Sequence, residues 1–212
     1  MTVTYRRIPR ATGVLIAVNV ILFLLAEIIS GSTMDTSVLV TWGGAYVPYL
    51  EEGQYWRLLT SMFMHSGIRH LLNNMLLLYV LGAVLEDLLG SLRFAALYLL
   101  GGLGAGAAAW RYYLSRGKMV VSVGASGAVF AVMGALLFIV IYHRGRVRGL
   151  SLRQMMVMLL FSLYFGFTSA DVSNIAHIAG LIIGFVLAIP LYLAGRGNRP
   201  QRRLFSRERS DR

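Results

Sequence analysis

The stretch VGASGAVFAVMGALLFIVIY, residues 123–142, contains no charged residue and carries several small residues near its start. A helix needs about 20 mostly apolar residues to cross the roughly 30 Å of hydrocarbon in a bilayer, and this stretch has that length. The whole chain agrees, because 57% of its 212 residues are hydrophobic and only 14% are charged, far from the average of soluble domains. The sequence therefore predicts a membrane protein.

Five other apolar stretches of comparable length accompany this one. Backbone groups inside lipid must be hydrogen-bonded within the spanning structure, and runs this long favour helices. We therefore predict an all-α polytopic membrane protein whose transmembrane domain covers residues 12–195. The first stretch is too long for a usual signal-peptide core and lacks a clear cleavage site, so it is predicted to be an uncleaved span. The six predicted helices cover residues 12–30, 69–89, 93–113, 123–142, 153–170 and 174–195.

Positive charge is distributed unevenly between the two sides of this bundle. With the N-terminus inside, 15 of the 20 lysines and arginines face the cytoplasm, as the positive-inside rule requires. The basic N-terminus (1–11) and the arginine-rich tail (196–212) are then both cytoplasmic, and the tail is predicted to be disordered. The external loop 31–66 contains Trp42 and Trp56, which favour the membrane interface. The net charge of +11 thus indicates topology and not nucleic-acid binding.

The residue types present limit the chemistry of the chain. It has no cysteine, so disulfides, thiolate metal sites and a cysteine nucleophile are excluded. A zinc site built from His65, His70 and His177 would need a fourth ligand that we do not find in the sequence. We predict no metal and no cofactor, and we assign His65 to hydrogen bonds within its loop.

Polar residues from three predicted helices meet at one membrane depth. Helices two, four and six all run from outside to inside, so the residues near their starts share one level. His70 and Asn74 open helix two, Ser126 opens helix four and His177 opens helix six. Small residues at four-residue spacing follow Ser126 and His177, and they allow helices four and six to pack closely. The sequence therefore predicts that Ser126 and His177 lie near each other.

These four residues suit acyl transfer. A serine hydroxyl becomes a good nucleophile when an imidazole within hydrogen-bond reach accepts its proton, so Ser126 is the candidate nucleophile and His177 the candidate base. The developing oxyanion needs hydrogen-bond donors, which His70 and Asn74 can supply from one face of their helix. We interpret Asp171 as a loop carboxylate exposed to water, outside the site.

Around these residues the chain resembles the rhomboid family of intramembrane serine proteases. The family's motifs are a Gly-x-Ser-Gly nucleophile turn, a His-x-x-x-Asn on the second helix, an Ala-His-x-x-Gly-x-x-x-Gly on the last, and a Trp-Arg pair in the first loop. One departure is Phe130, which stands where many rhomboids have a tyrosine that stacks on the catalytic histidine. The matching segments here are Gly124-Ala125-Ser126-Gly127, His70-Leu71-Leu72-Asn73-Asn74, Ala176-His177 through Gly184, and Trp56-Arg57.

The resemblance implies that the chain cleaves transmembrane segments of other membrane proteins with a Ser126 and His177 dyad, assisted by His70 and Asn74. It implies no metal or cofactor and no need for an oligomer. The expected partners are transmembrane protein substrates and membrane lipid, without nucleic acid. A six-helix core resembles the simpler prokaryotic members, which implies a plasma-membrane location with the active site on the extracytoplasmic side.

Two other functions compete with proteolysis. A non-catalytic rhomboid relative would bind membrane clients and escort them, but such relatives typically lack the serine or the histidine, and this chain keeps Ser126 and His177. A small transporter should show paired ionisable residues deep within its helices or an inverted repeat, and Glu27, Glu86 and Asp87 all lie near span ends. Sequence features therefore favour the protease.

A methionine cluster in predicted helix five suggests how a substrate could enter. Met155, Met156 and Met158 follow one another closely, and methionine suits irregular, adaptable packing. We hypothesise that this helix loosens to admit a substrate helix.

Overall fold

The computed structural model describes residues 9–168 and 173–196. The basic segment up to residue 8, Asp171 and the arginine-rich tail from residue 197 onward lie outside the described residues. The helices in chain order are α1 (Arg10–Ser30), α2 (Thr36–Thr41), α3 (Val47–Glu51), α4 (Arg57–Thr60), α5 (Gly67–Leu77), α6 (Ala83–Leu89), α7 (Ser91–Ser115), α8 (Ser126–Tyr142), α9 (Leu152–Thr168) and α10 (Asn174–Arg196).

Short irregular elements join these helices. A 3₁₀ turn (Ser61–Phe63) follows α4, and a π-helical segment (Leu78–Gly82) makes α5 continuous with α6. Two antiparallel pairs of two-residue strands complete the described structure. They are β1 (Ala45–Tyr46) with β2 (Val121–Ser122), and β3 (Arg146–Val147) with β4 (Leu150–Ser151).

Within the part of the chain that the structure describes, four helical segments are long and apolar enough to cross a membrane. They are Arg10–Ser30, Gly67–Leu89, Ser91–Ser115 and Asn174–Ala194. The other two predicted spans correspond to α8 and α9, which have 17 residues each; at 1.5 Å per residue such a helix is about 25 Å long. The prediction of an all-helical, multi-pass membrane protein is therefore confirmed.

Glu86 ties the start of α1 to the end of α6. Its carboxylate accepts hydrogen bonds from the backbone N–H groups of Ala11 (3.0 Å) and Thr12 (2.7 Å). It also accepts from the hydroxyl groups of Thr12 (2.8 Å) and Ser91 (2.5 Å). The first N–H groups of a helix have no partner within the helix, so this carboxylate caps α1 from a distant part of the chain.

Helix α8 lies at the centre of the bundle and packs directly on the backbone of α10. Every residue from Gly127 to Leu136 is buried. A Cβ atom at Gly180 would collide with the carbonyl oxygen of Gly127, and one at Gly184 with the carbonyl oxygen of Ala131. The close contact between helices four and six that the small-residue spacing predicts is therefore present.

Helix α7 also packs closely on α8. A Cβ atom at Gly101 would collide with the side chain of Ala131, and one at Gly102 would lie 2.9 Å from the Cβ atom of Ala128. Because α8 packs tightly on both α7 and α10, the start of α8 has a fixed position in the bundle.

Candidate active site

Ser126 is the first residue of α8 and follows a sharp turn. Gly124 has φ +116°, a conformation that residues with a side chain rarely adopt, and a Cβ atom there would lie 2.6 Å from the ring of His70. Both facts require glycine at this position. The first N–H groups of α8 have no partner within the helix and carry partial positive charge. An anion that forms beside Ser126 would therefore be stabilised.

His177 lies in the first turn of α10 and is only 4% exposed. Its ring stacks on Phe130, with ring centroids 4.1 Å apart and an interplanar angle of 7°. Phe130 is four residues after Ser126, so both lie on one face of α8. Phenylalanine at this position thus stacks on His177 although it lacks the hydroxyl of a tyrosine, and the stacking holds the imidazole on the face of α8 that carries Ser126.

Ser126 and His177, the predicted dyad, lie on the adjoining helices α8 and α10. The hydrogen bond between their side chains is not formed in this structure. Among the described residues, neither ring nitrogen of His177 has a hydrogen-bond partner. Buried polar groups are normally paired, so an imidazole with both nitrogens unpaired stands out as a group that could accept a proton. Catalytic hydrogen bonds often tighten only when substrate is bound.

His70 and Asn74 lie beside the turn that precedes Ser126, one helical turn apart on α5. The His70 ring packs against Gly124. The Asn74 side chain is buried, and its Nδ2 donates to the carbonyl oxygen of His70 at 3.1 Å. Both residues are therefore within the same cluster as the backbone that precedes Ser126.

A cavity of about 380 Å³ opens beside Ser126. Helix α7 leaves room for it by presenting Gly102, Gly106 and Ala109, and the pairing of β1 with β2 contributes Ala45 and the residues before Ser126. Both apolar and polar groups line this space, so it could hold an extended peptide next to the hydroxyl of Ser126. Other lining residues include Met34, Leu58, Ser61, Met62, Ser66, His70, Tyr113, Ser173 and Ala176.

Arg57 organises the first loop beside this cavity. Its guanidinium donates to the carbonyl oxygens of Val40 (2.7 Å) and Gly44 (3.1 Å), and it lies over the rings of Tyr49 and Trp56 at 4.8 and 4.6 Å. The Trp-Arg pair found in the sequence therefore fixes the loop that carries β1, which in turn pairs with the strand ahead of Ser126.

Two residues near His177 were missed from the sequence. Tyr113 Oη and Ser173 Oγ form a hydrogen bond of 3.0 Å between the end of α7 and the start of α10. Ser173 Oγ also accepts from the backbone N–H of Ala176 at 3.3 Å, as a helix cap does. A serine just before an apolar run could have indicated this cap, whereas nothing in the sequence points to Tyr113.

His65 was also left out of the site by sequence reasoning. Its side chain is buried, and its Nε2 lies 3.4 Å from the backbone nitrogen of Ala125, the residue before Ser126. The rings of His65 and His70 meet edge to face with centroids 5.1 Å apart. The structure therefore places a third histidine against the turn that precedes Ser126.

Comparison with known proteins agrees with this arrangement. The sequence profile of the rhomboid domain matches residues 52–194. Rhomboid protease GluP of Bacillus subtilis (strain 168) is 36% identical over 189 residues, which cover 89% of this chain and 36% of GluP. RHOMBOID-like protein 5 of Arabidopsis thaliana is 37% identical over 68% of this chain and 46% of its own length.

Rhomboid protease AarA of Providencia stuartii is 30% identical over 205 residues, which cover 86% of this chain and 72% of AarA. The chain thus spans about a third of GluP and less than half of the Arabidopsis protein, but most of AarA. The matched region contains the turn at Ser126, the histidine on α10 and the helices that hold them, and this chain belongs to the rhomboid family.

Proposed function

We propose that this chain is an intramembrane serine endopeptidase that cleaves transmembrane segments of other membrane proteins. The observation that carries the proposal is the position of Ser126 at the start of α8, beside a cavity of about 380 Å³. One turn further along α8, Phe130 stacks on the imidazole of His177, whose ring nitrogens have no hydrogen-bond partner among the described residues. Relatives named as proteases, GluP and AarA, support the same activity.

In the proposed mechanism Ser126 Oγ attacks the carbonyl carbon of the scissile peptide bond, and His177 accepts the hydroxyl proton. The C=O electron pair moves to oxygen, giving a tetrahedral oxyanion. When the C–N bond breaks, His177 gives the proton to the leaving amine. Water then attacks the acyl-enzyme by the same route and releases the carboxylic acid, which returns Ser126 to its starting state.

Oxyanion stabilisation is assigned to donors around the nucleophile turn. The proposed donors are the backbone N–H of Ser126, the side-chain amide of Asn74 and the ring N–H of His70. In support of this assignment, a Cβ atom on Gly124 would lie 2.6 Å from the His70 ring and 3.8 Å from Asn74 Nδ2. Preorganised donors at the position of developing charge contribute a large share of catalysis in acyl transfer.

The proposed topology has six spans, both termini in the cytoplasm and the active site toward the extracytoplasmic side of the plasma membrane. Helix α8 is short, but because it is almost wholly covered by protein it does not have to match the lipid thickness. The excess of arginine on the opposite side from the site supports the orientation. The proposal requires no metal, cofactor, nucleic acid or second copy of the chain.

Substrate entry is assigned to α9. This helix buries Met155 and Leu159 but exposes Met156, Val157 and Leu160, so it holds to the bundle through a narrow face. Its packing suits a helix that moves aside for a substrate.

Cross-linking tests this entry route. The chain has no cysteine, so one cysteine introduced on α5 and one on α9 can be joined specifically by a bifunctional cross-linker that contains a disulfide. We expect the cross-link to abolish cleavage of a membrane-embedded reporter, and reduction to restore it. A small fluorophosphonate should still label the cross-linked protein because it does not need a helix-sized opening. Full reporter cleavage in the cross-linked state would show that the substrate enters elsewhere.

Labelling by a serine-directed fluorophosphonate tests the proposed function. We expect purified wild-type protein in detergent or liposomes to be labelled, and Ser126→Ala and His177→Ala to lose the label. Ser115→Ala is the matched control, because Ser115 is exposed at the end of α7 and should be labelled like wild type. A wild-type protein that stays unlabelled contradicts the protease and favours the escort function.

A further inference from the structure

The turn before Ser126 donates two backbone N–H groups to acceptors in the segment that leads into α5. The N–H of Gly124 donates to the carbonyl oxygen of Ser61 at 2.9 Å, and the N–H of Ala125 donates to Nε2 of His65 at 3.4 Å. Two consecutive peptide groups are thus fixed from one side. Ser126 supplies the next N–H in the chain, at the start of α8.

The His65 side chain is placed to act as a permanent acceptor. It is 1% exposed, and the edge of its ring lies against His70. Burial, with a further contribution from His70, lowers the pKa of His65 to about 3, against the opposing effect of the backbone carbonyl of Phe63 as an acceptor. The imidazole is therefore neutral at physiological pH, and a neutral imidazole keeps one nitrogen free to accept a hydrogen bond.

Among the described residues, the N–H of Ala125 finds its acceptor in His65. Its side chain is fully buried, and it precedes the first turn of α8, so its N–H lies outside the helix's own hydrogen-bond ladder. A buried donor without an acceptor is costly. Without the nitrogen of His65, the peptide between Gly124 and Ala125 would be expected to rotate, and the backbone of Ser126 with it.

We infer that His65 is a positioning residue for the nucleophile, whose Nε2 fixes the Ala125 peptide and thereby the direction of the Ser126 hydroxyl and N–H. This role rests on the proposed function of Ser126. His65 does not touch the reacting atoms, so its contribution passes through the backbone of the turn. It differs in this from His70, whose ring lines the cavity.

The test compares two substitutions that differ in the acceptor. His65→Gln can present an amide oxygen near the place of Nε2, whereas His65→Phe keeps a ring of similar size without an acceptor. The measured quantity is the second-order rate of fluorophosphonate labelling of Ser126, corrected for the folded fraction from a thermal unfolding curve. His143→Phe is the control, since His143 lies at the far end of α8 and bonds Tyr192.

We expect His65→Phe to label roughly tenfold to a hundredfold more slowly than wild type, as small misplacements of reacting groups can do. His65→Gln should recover most of the rate, and His143→Phe should label at the wild-type rate. The inference is overturned if His65→Phe labels like wild type, or if His65→Gln is as slow as His65→Phe. If the wild-type protein itself is not labelled, the proposed function fails, and the role of His65 falls with it. This outcome is distinct from slow labelling of the variants only.

A measurement on the unmodified protein covers the case in which His65→Phe does not fold. Hydrogen exchange at the Ala125 amide should be strongly slowed in wild type, because this N–H is both buried and bonded. An Ala125 amide that exchanges as fast as an open loop amide would contradict the inference without any substitution.

Discussion

Cleavage of a transmembrane reporter should fall by at least about 10⁴-fold in Ser126→Ala, because removing the nucleophile of a serine protease leaves only the weak catalysis of binding and the oxyanion donors. Among the described residues, no other serine can take the place of Ser126 at the start of α8, because the nearby Ser122 lies in β2. The measurement is reporter cleavage in liposomes, followed by the appearance of the shorter fragment.

The same experiment contains its own controls. Ser115→Ala should cleave at the wild-type rate, and the thermal unfolding temperature of Ser126→Ala should match wild type because only a hydroxyl is removed. His177→Ala combined with Ser126→Ala should be no worse than either alone, since residues that act as one unit have non-additive effects. Residual cleavage by Ser126→Ala above one part in a hundred would assign the nucleophile to another residue.

Gly184→Ala should give the largest loss of stability among single methyl additions to the bundle. The new Cβ atom would collide with the backbone of Ala131 on α8, and because Gly101 of α7 also packs against Ala131, the helix cannot move away freely. Overpacking a tight core typically costs about 1–3 kcal/mol. Here we expect the upper end, since the obstacle is backbone.

Thermal unfolding in detergent measures this effect, with Gly106→Ala as the matched control. Gly106 is also a helical glycine, but a Cβ there would lie 3.6 Å from the nearest atom, an ordinary contact. We expect a clearly lower unfolding temperature for Gly184→Ala and a small change for Gly106→Ala. Equal stability of the two variants would show that α8 and α10 can separate, and would remove the reason for His177 to stay against α8.

Much of the fold was predictable because a bilayer imposes a simple rule. Among the described residues, four predicted spans coincide with helices long enough to cross a membrane and two with shorter apolar helices, since a chain in lipid must satisfy its backbone within the segment. The glycine spacing along Gly180 and Gly184 likewise predicted which helices touch, because small residues are what allows two backbones to approach. The stacking of His177 on Phe130 followed from the same contact.

The sequence predicted less well where bonds join distant parts of the chain through the backbone. The acceptor for the Ala125 N–H is 60 residues away at His65, and the cap of α1 is Glu86, 74 residues from Thr12. Neither pair follows a periodic pattern, because a backbone N–H is common to nearly all residues and leaves no mark in the sequence.

The sequence by itself determined the apolar helices, the closeness of α8 and α10 and the candidate residues Ser126, His177, His70 and Asn74. These features depend on local hydropathy and on side-chain size, which are properties of each residue that can be read from the sequence directly. Only the tertiary structure decided how the nucleophile turn is held, by His65 and Ser61, and that the Ser126 and His177 hydrogen bond is open among the described residues. Such features depend on distances and angles of a few tenths of an ångström, which arise only when all the helices are packed together.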